Sequence, residues 1–274
     1  VVLAESRDAI ATLAKITEPS WANFVAELEN IDERIDRVWS PVSHLNSVQD
    51  SPELRDAYEH GVQLLTEYHI EVGQNTELFT RFKDIQANPN FKQLDSAQQK
   101  IISNNIRDFR LSGAELSTED KQRFAGISQR LSTQFERNVL DSTQAFKKPI
   151  ADKHGLAGLP DSALAMAQQF AQQEDLEGYL LTLQIPSYLA VMQHAEDREL
   201  RKEIYLAYGS RASDQGHQPQ FDNQAVINEI VKLKHEKAQL LGFKHFAELS
   251  LVSKMAESVS TVDQFLQDLV HYAK

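Results

Sequence analysis

Apolar residues recur every three to four positions through most of this chain, and helix-cap signals separate one run from the next. That period constrains the fold more than any other feature. One apolar stripe per 3.6-residue turn has to be buried against a neighbouring element, whereas a strand needs period two. After Thr17-Glu18-Pro19-Ser20, the residues Trp21, Phe24, Val25, Leu28, Ile31, Ile35, Val38 and Trp39 form one stripe. Ser40-Pro41 is expected to end it, because the residue before a proline is pushed out of the α region. Ser51-Pro52-Glu53 opens the next helix with a hydroxyl cap, a proline at the first helical position and an acid in the first turn. Leu54, Tyr58, Val62, Leu65, Tyr68 and Val72 follow on one face. Ser96 and Gln99 fit a capping box ahead of Ile101, Ile102, Ile106 and Phe109, and Gly113 is placed to end that helix. Ser117 to Asp120 cap the longest expected helix, through Phe124, Ile127, Leu131, Phe135 and Val139 to Phe146.

Residues 147–160, with two prolines and two glycines, read as a connection. A short helix to about Gln173 follows Asp161. Residues 178–192 are the one strand-like stretch: two apolar runs around Pro186-Ser187, expected to pair as a β-hairpin that leans on helices. Helices resume at Asp197, pause at the polar loop 210–220, and resume at Asp222. The last stripe, Val259, Val262, Phe265, Leu266, Leu269 and Val270, runs to Lys274 with no C-cap residue. The 274 residues hold only 10 glycines and 8 prolines, about half the usual share. The expectation is a mainly α protein, a multi-helix array or bundle with one small β-hairpin at about 178–192. Residues 1–146 form an N-terminal helical subregion, and 147–274 hold the connection, the hairpin and further helices.

Composition excludes several chemistries. There is no cysteine, so there is no disulfide, thiolate nucleophile or cysteine-held metal. A net charge of −12 argues against nucleic acid as a partner, since phosphate binding needs concentrated basic surface. No run approaches 18 apolar residues, so no membrane span is expected. The nine histidines include no pair three or four apart. His235-Glu236 opens like the zinc motif H-E-x-x-H, but Gln239 stands where the second imidazole is required. Asp268 and His271 are one lone i, i+3 pair, which a solvated helix face explains. No phosphate loop, dinucleotide fingerprint or nucleophile elbow occurs, because Arg130 replaces the second glycine after Gly126-Ile127-Ser128. No catalytic residue and no metal ligand is assigned from the residues themselves, and the substrate-binding residues are left open.

Four stretches nevertheless resemble a known family: residues 40–59 (SPVSHLNSVQDSPELRDAYE), 178–192 (GYLLTLQIPSYLAVM), 200–216 (LRKEIYLAYGSRASDQG) and 240–258 (LLGFKHFAELSLVSKMAES). They are similar, in one order over essentially the whole chain, to the thimet-oligopeptidase and neurolysin family of zinc metallopeptidases. The resemblance implies a mostly helical protein split by a deep, narrow channel that admits short unstructured peptides. It implies a zinc ion held by the two histidines of H-E-x-x-H and a downstream glutamate, in the C-terminal half of the family's chains. The similarity here is to the N-terminal half, so no zinc ligand or general base is carried onto any position. Zinc is expected in the full-length enzyme and not on these residues. A first residue other than Met and an unfinished last helix agree with a fragment.

The reading that follows is the channel-wall portion of a cytoplasmic metalloendopeptidase, inactive alone. Its partners are short peptides and the C-terminal catalytic half of the same chain. Self-association through the helix at 259–274 is expected where that half is absent. Residues 178–192 are a candidate substrate-facing element and loop 210–220 a weaker one. The competing explanation, that Tyr179, Leu181, Tyr188 and Met192 pack the hairpin onto helices, stands first. The alternative from another class is a stand-alone, non-catalytic helical scaffold or adaptor.

Overall fold

The computed structural model of the chain describes residues 1–49, 51–131 and 134–273. Among the described residues the protein is mainly helical, with one small two-stranded antiparallel sheet. It divides into two units, Val1–Ser132 with Lys232–Lys274, and Thr133–Val231.

In the first unit, α1 (Val2–Leu13) precedes a π-helical turn, Trp21–Val25, that leads directly into α2 (Ala26–Val48). Ser20 and Asn23 cap each other there: the Asn23 N–H donates to Ser20 Oγ at 3.3 Å, and the Ser20 N–H donates to Asn23 Oδ1 at 2.8 Å. There follow α3 (Pro52–Gly73), α4 (Thr76–Ala87), α5 (Ser96–Leu111) and α6 (Thr118–Arg130). The predicted stripes supply the core: Phe24, Val25, Leu28, Ile31, Ile35, Tyr68, Ile102, Ile106 and Phe109 are buried. Leu78, Phe79, Phe82 and Ile85 of α4 join them. Phe24 meets Phe82 edge-on at 5.1 Å, and Phe82 meets Phe109 at 5.6 Å. Gly113, at φ +85°, ends α5: its N–H bonds Arg110 O and the Ala114 N–H bonds Phe109 O, the paired pattern that a left-handed residue makes possible.

Two expectations in this unit are corrected. Pro41 does not end α2, which runs on to Val48. The proline lies on the exposed side, and tertiary packing carries the helix past it. Trp39 stacks on Tyr58 at 5.2 Å and lies against Gly61, where any Cβ would fall 2.4 Å from the indole. The capping box at the start of α5 uses Asp95 and Gln98, one residue earlier than expected, while Gln99 donates to Leu94 O at 2.8 Å.

The second unit holds α7 (Gln134–Ala145), β1 (Lys148–Ile150), α8 (Asp161–Gln173), β2 (Tyr179–Leu181), α9 (Ile185–His194) and α10 (Arg198–Gly209). α11 (Gln224–Leu240) begins here and continues into the first unit. There α12 (Phe246–Leu251) and α13 (Val259–Ala273) follow. The helix expected over 117–146 is therefore two, α6 and α7, and residues 132 and 133 lie outside the described residues. α6 buries Phe124 and Ile127, but α7 buries the polar Asn138 and Ser142 while Phe135 and Leu140 stay exposed. The apolar stripe does not carry over in phase.

The small sheet is present, but its pairing differs from the expected hairpin over 178–192. Tyr179–Leu181 pairs with Lys148–Ile150, in register Lys148 with Leu181 and Ile150 with Tyr179. Residues 147–160, read as a connection, thus contain a strand. Residues 185–194 are helical. Pro186 stands in the first turn of α9, where its fixed φ suits a helix and its missing N–H costs nothing. Ser187 and Val191, one turn apart, are the buried pair. A short apolar run does not by itself distinguish strand from buried helix. The end of the last helix at Lys274 lies outside the described residues.

Candidate functional site

Three of the residues named in the segment read as substrate-facing, Tyr179, Leu181 and Tyr188, turn inward in the second unit. Leu181 is buried, and Tyr179 and Tyr188 pack against the core formed by Leu156, Leu164, Leu183, Val191, Leu200 and Ile204. Tyr188 stacks on Tyr208 of α10 at 4.0 Å, and the Arg211 guanidinium lies 3.5 Å from the Tyr208 ring centre. The side chains that remain outside are Ile185 and Leu189, one turn apart on α9, and Tyr205 and Leu206 on α10. A helical reading of 185–194 would have found the first two.

Loop 210–220 is held at its base by buried polar groups. Ala212, at φ +50°, donates its N–H to Ser142 Oγ at 3.2 Å and accepts from the Asn223 N–H at 3.0 Å. The Asn223 side chain accepts from Asn138 at 2.8 Å and donates to Phe135 O at 3.0 Å. Arg211 donates to Tyr208 O and to Thr143 Oγ1. No apolar pattern signals this network, because each member is a polar residue that reads as surface in sequence.

The His235-Glu236 segment is engaged in packing. Glu236 pairs with Arg123, which holds its carboxyl below the ordinary range. Lys237 lies 4.4 Å from the Phe124 ring centre and donates to Ser128, and burial pushes its ammonium pKa down. The Gln239 amide donates to Lys244 O at 3.0 Å, so it presents a donor to the next turn and no imidazole to a metal. Among the described residues no group of three histidine or acidic side chains is arranged to hold a metal ion. The described residues around His235 and Gln239 therefore do not fit a zinc centre. Asp268 accepts from Gln264 at 2.8 Å on the exposed helix α13.

One site in the first unit was not anticipated. A cleft of about 400 Å³ is lined by Asp32, Ile35 and Asp36 of α2, Tyr68, His69 and Val72 of α3, and Asn105, Asp108 and Ser112 of α5. Partial desolvation, then the charges of Glu29 and Asp36, push Asp32 up to about 6. Burial pushes His69 down despite the opposing effect of Asp36. Desolvation, then the charge of Asp32, pushes the Tyr68 phenol up to about 12. The available signal was Asp32 and Asp36 at i, i+4, flanking the buried Ile35 on a stripe.

The fold and these surfaces define a mainly helical region with one small sheet. Residues 1–121 match the family model for the N-terminal domain of neurolysin/thimet oligopeptidase, and residues 191–274 match that for peptidase family M3. The chain belongs to this family and is similar to the N-terminal portion of its members. It is 47% identical over 259 residues to oligopeptidase A of Escherichia coli (strain K12), covering 93% of this chain and 38% of that one. It is 40% identical over 267 residues to the probable cytosolic oligopeptidase A of Arabidopsis thaliana, covering 94% and 37%. Saccharolysin of Saccharomyces cerevisiae is 26% identical over 280 residues, covering 98% and 37%. The chain thus spans about two fifths of the length of these relatives. No helix among the described residues is long and apolar enough to cross a membrane.

Proposed function

We propose that these residues form the N-terminal, channel-wall portion of a cytoplasmic, zinc-dependent oligopeptidase that cleaves short unstructured peptides. The single observation that carries the reading is similarity to oligopeptidase A along nearly the whole chain, over only 38% of that protein. In the first unit the wall has an aromatic core and reciprocal caps. In the second unit it offers apolar side chains, Ile185, Leu189, Tyr205 and Leu206, to an extended peptide. Because Gln239 breaks the H-E-x-x-H pattern that His235-Glu236 opens, the 274 residues are expected to be inactive by themselves.

The test is an assay of this chain and of the longer protein that contains it on a short quenched-fluorescent peptide, with Zn²⁺ and with a chelator. Chelator-sensitive cleavage is expected from the longer protein alone. Cleavage by the 274-residue chain would overturn the division of labour. A longer protein inert toward every peptide would overturn the peptidase reading and favour a scaffold.

A further inference from the structure

The cleft between α2, α3 and α5 sets acids beside an unpaired phenol. Asp32 and Asp36 stand one turn apart on α2, exposed at its rim, and among the described residues neither has an ion-pair partner. Two cations beside the cleft are engaged elsewhere, Arg7 with Glu71 at 2.6 Å and Arg107 with Asp108 at 2.7 Å. Among the described residues no lysine or arginine lines the cleft. Burial holds His69 below its ordinary range, so its imidazole is neutral at pH 7 and adds no positive charge. Tyr68 lies at the floor, fully buried, and its hydroxyl has no hydrogen-bond partner. A buried polar group without a partner is rare enough to need an explanation.

We propose that this cleft binds a primary ammonium group on an aliphatic stem, held by the Asp32 and Asp36 carboxylates and the Tyr68 oxygen. An ammonium carries three N–H donors and no acceptor, so it needs a site made of acceptors. The cleft offers them. Beside the two carboxylates stands the Asn105 Oδ1, because the Asn105 amide N–H is turned away to Ile101 O at 3.0 Å. Ser6, equally buried and unpaired, neighbours the Tyr68 oxygen. A bond between the two hydroxyls, in either direction, leaves that oxygen able to accept once more. Ile35, Val72 and Phe109 give the stem an apolar wall.

Other ligand classes fit less well. An anion would meet unpaired carboxylates and no cation. A hard divalent cation takes roughly six or more oxygen ligands, whereas among the described residues no three histidine or acidic side chains are arranged to hold a metal. A volume of about 400 Å³ admits a small amine or one extended side chain. The walls are set in advance: a Cβ at Gly73 would fall 2.6 Å from Ser112 Cβ, so α3 and α5 already meet beside the cleft. Sites carried on packed helices hold their geometry better than sites on loops. Asp32 is kept where folding disfavours its charge, and such a cost to stability is the usual mark of a residue retained for binding. The same ammonium could come from a free amine or from a lysine side chain of a peptide. The site is independent of the peptidase reading.

The test is a titration of the chain with 1-aminopentane at neutral pH and constant ionic strength, with 1-pentanol as the uncharged control. Nuclear magnetic resonance shifts of the Asn105 and Ser112 amides report on the cleft. Saturable shifts are expected from the amine alone, with Kd in the millimolar range or tighter. Asp32→Asn should weaken binding at least about 10-fold, and Tyr68→Phe about 3-fold or more, since charge-assisted bonds are the stronger ones. Asp32→Asn is expected to stabilise the fold at this pH, so binding lost in it is not lost structure. Equal shifts from the alcohol would mean an apolar cavity only and overturn the proposal. So would amine shifts that never saturate, or binding unchanged in Asp32→Asn. Ca²⁺ producing the same shifts at lower concentration would make this a metal site and overturn it as well. Tighter binding of the peptide acetyl-Gly-Lys-Gly-amide than of the free amine assigns the group to a peptide side chain, and the reverse order to a free amine. Either order, lost in Asp32→Asn, upholds the site.

Discussion

The two units bury different kinds of core. The first is built on large side chains in contact: Phe24, Phe82 and Tyr68 are fully buried, and Phe79, Phe82 and Phe109 pack ring to ring. The second relies on leucine and alanine, with Ala163, Ala167, Ala195 and Ala207 allowing close approach of α8, α9 and α10. It adds a two-stranded sheet and a buried amide network around Asn223. An aromatic core gains stability from area and tolerates imprecise loops. An alanine-lined one depends on backbones meeting closely and on loop carbonyls and N–H groups finding partners. The first unit should therefore respond to lost volume and the second to lost fit.

The largest effect is expected at Phe82. Phe82→Ala removes a ring that touches both Phe24 and Phe109, and should cost about 3–5 kcal/mol. Urea unfolding combined with hydrogen exchange reads it, with protection lost first in α2, α4 and α5. A loss under about 1 kcal/mol would break the claim that rings carry this core.

Gly158→Ala tests fit in the second unit. Gly158 sits at φ +89°, and a Cβ there would fall 2.2 Å from His194 O. A left-handed alanine plus displacement of the α9 terminus should cost about 2–4 kcal/mol. Thermal unfolding gives the size, and amide exchange around 157–159 and 194–196 gives the place. A neutral substitution would mean that this close approach is not required.

Other positions in the two units show what sequence makes legible. Phe24 and Phe109 were read from their stripes, because helical period reports burial directly. Asp95, Ser117 and Asp197 lie at or beside the caps because their side chains bond backbone N–H groups within a few residues. The second unit was harder for a physical reason. Its strand β1 spans three residues, pairs with a partner 29 or more positions away, and contains a proline. Nothing local announces such a pairing. Pro41 misled in the opposite direction: the local rule is sound, but Trp39 against Gly61 is a tertiary contact that overrides it. At the candidate surfaces, the leading explanation held for Tyr179, Leu181 and Tyr188, which pack inward, while the exposed Ile185 and Leu189 were not singled out because 185–192 was read as a strand and is helical. The acidic cleft was passed over because Asp32 and Asp36 resemble any solvated pair until α3 and α5 close around them.

Asn223→Ala should have a smaller effect than Gly158→Ala. It removes the acceptor for Asn138 and the donor to Phe135 O, and unsatisfied buried amides cost about 1–3 kcal/mol. Asn223→Asp separates hydrogen bonding from volume. It keeps the acceptor for Asn138 but replaces the donor with a charge, so its stability should fall further as pH rises and the carboxylate ionises. Chemical denaturation at two pH values checks both. If the alanine variant were as stable as the wild type, the network would be incidental to the second core.

The smallest effect runs the other way and belongs to the first unit. Asp32 titrates at about 6 in the folded chain against an ordinary 3.8, so its ionised form is disfavoured by folding. The sign follows from linkage: above pH 6 the carboxylate is charged in both states and the folded state bears the penalty. As pH falls from about 6 toward 4 the folded state binds the proton first, and the penalty disappears. Asp32→Asn should therefore stabilise the protein at pH 7–8, by about 1 kcal/mol once solvent screening is allowed for, and should match the wild type below pH 4. The raw pH profile of the wild type does not isolate this, because His69, with its lowered pKa, works in the opposite sense as pH falls. The difference between variant and wild type removes the histidine's share. A difference that stayed constant across pH 4–8 would place the origin in packing, and the cleft would then be one more part of a core set by volume alone.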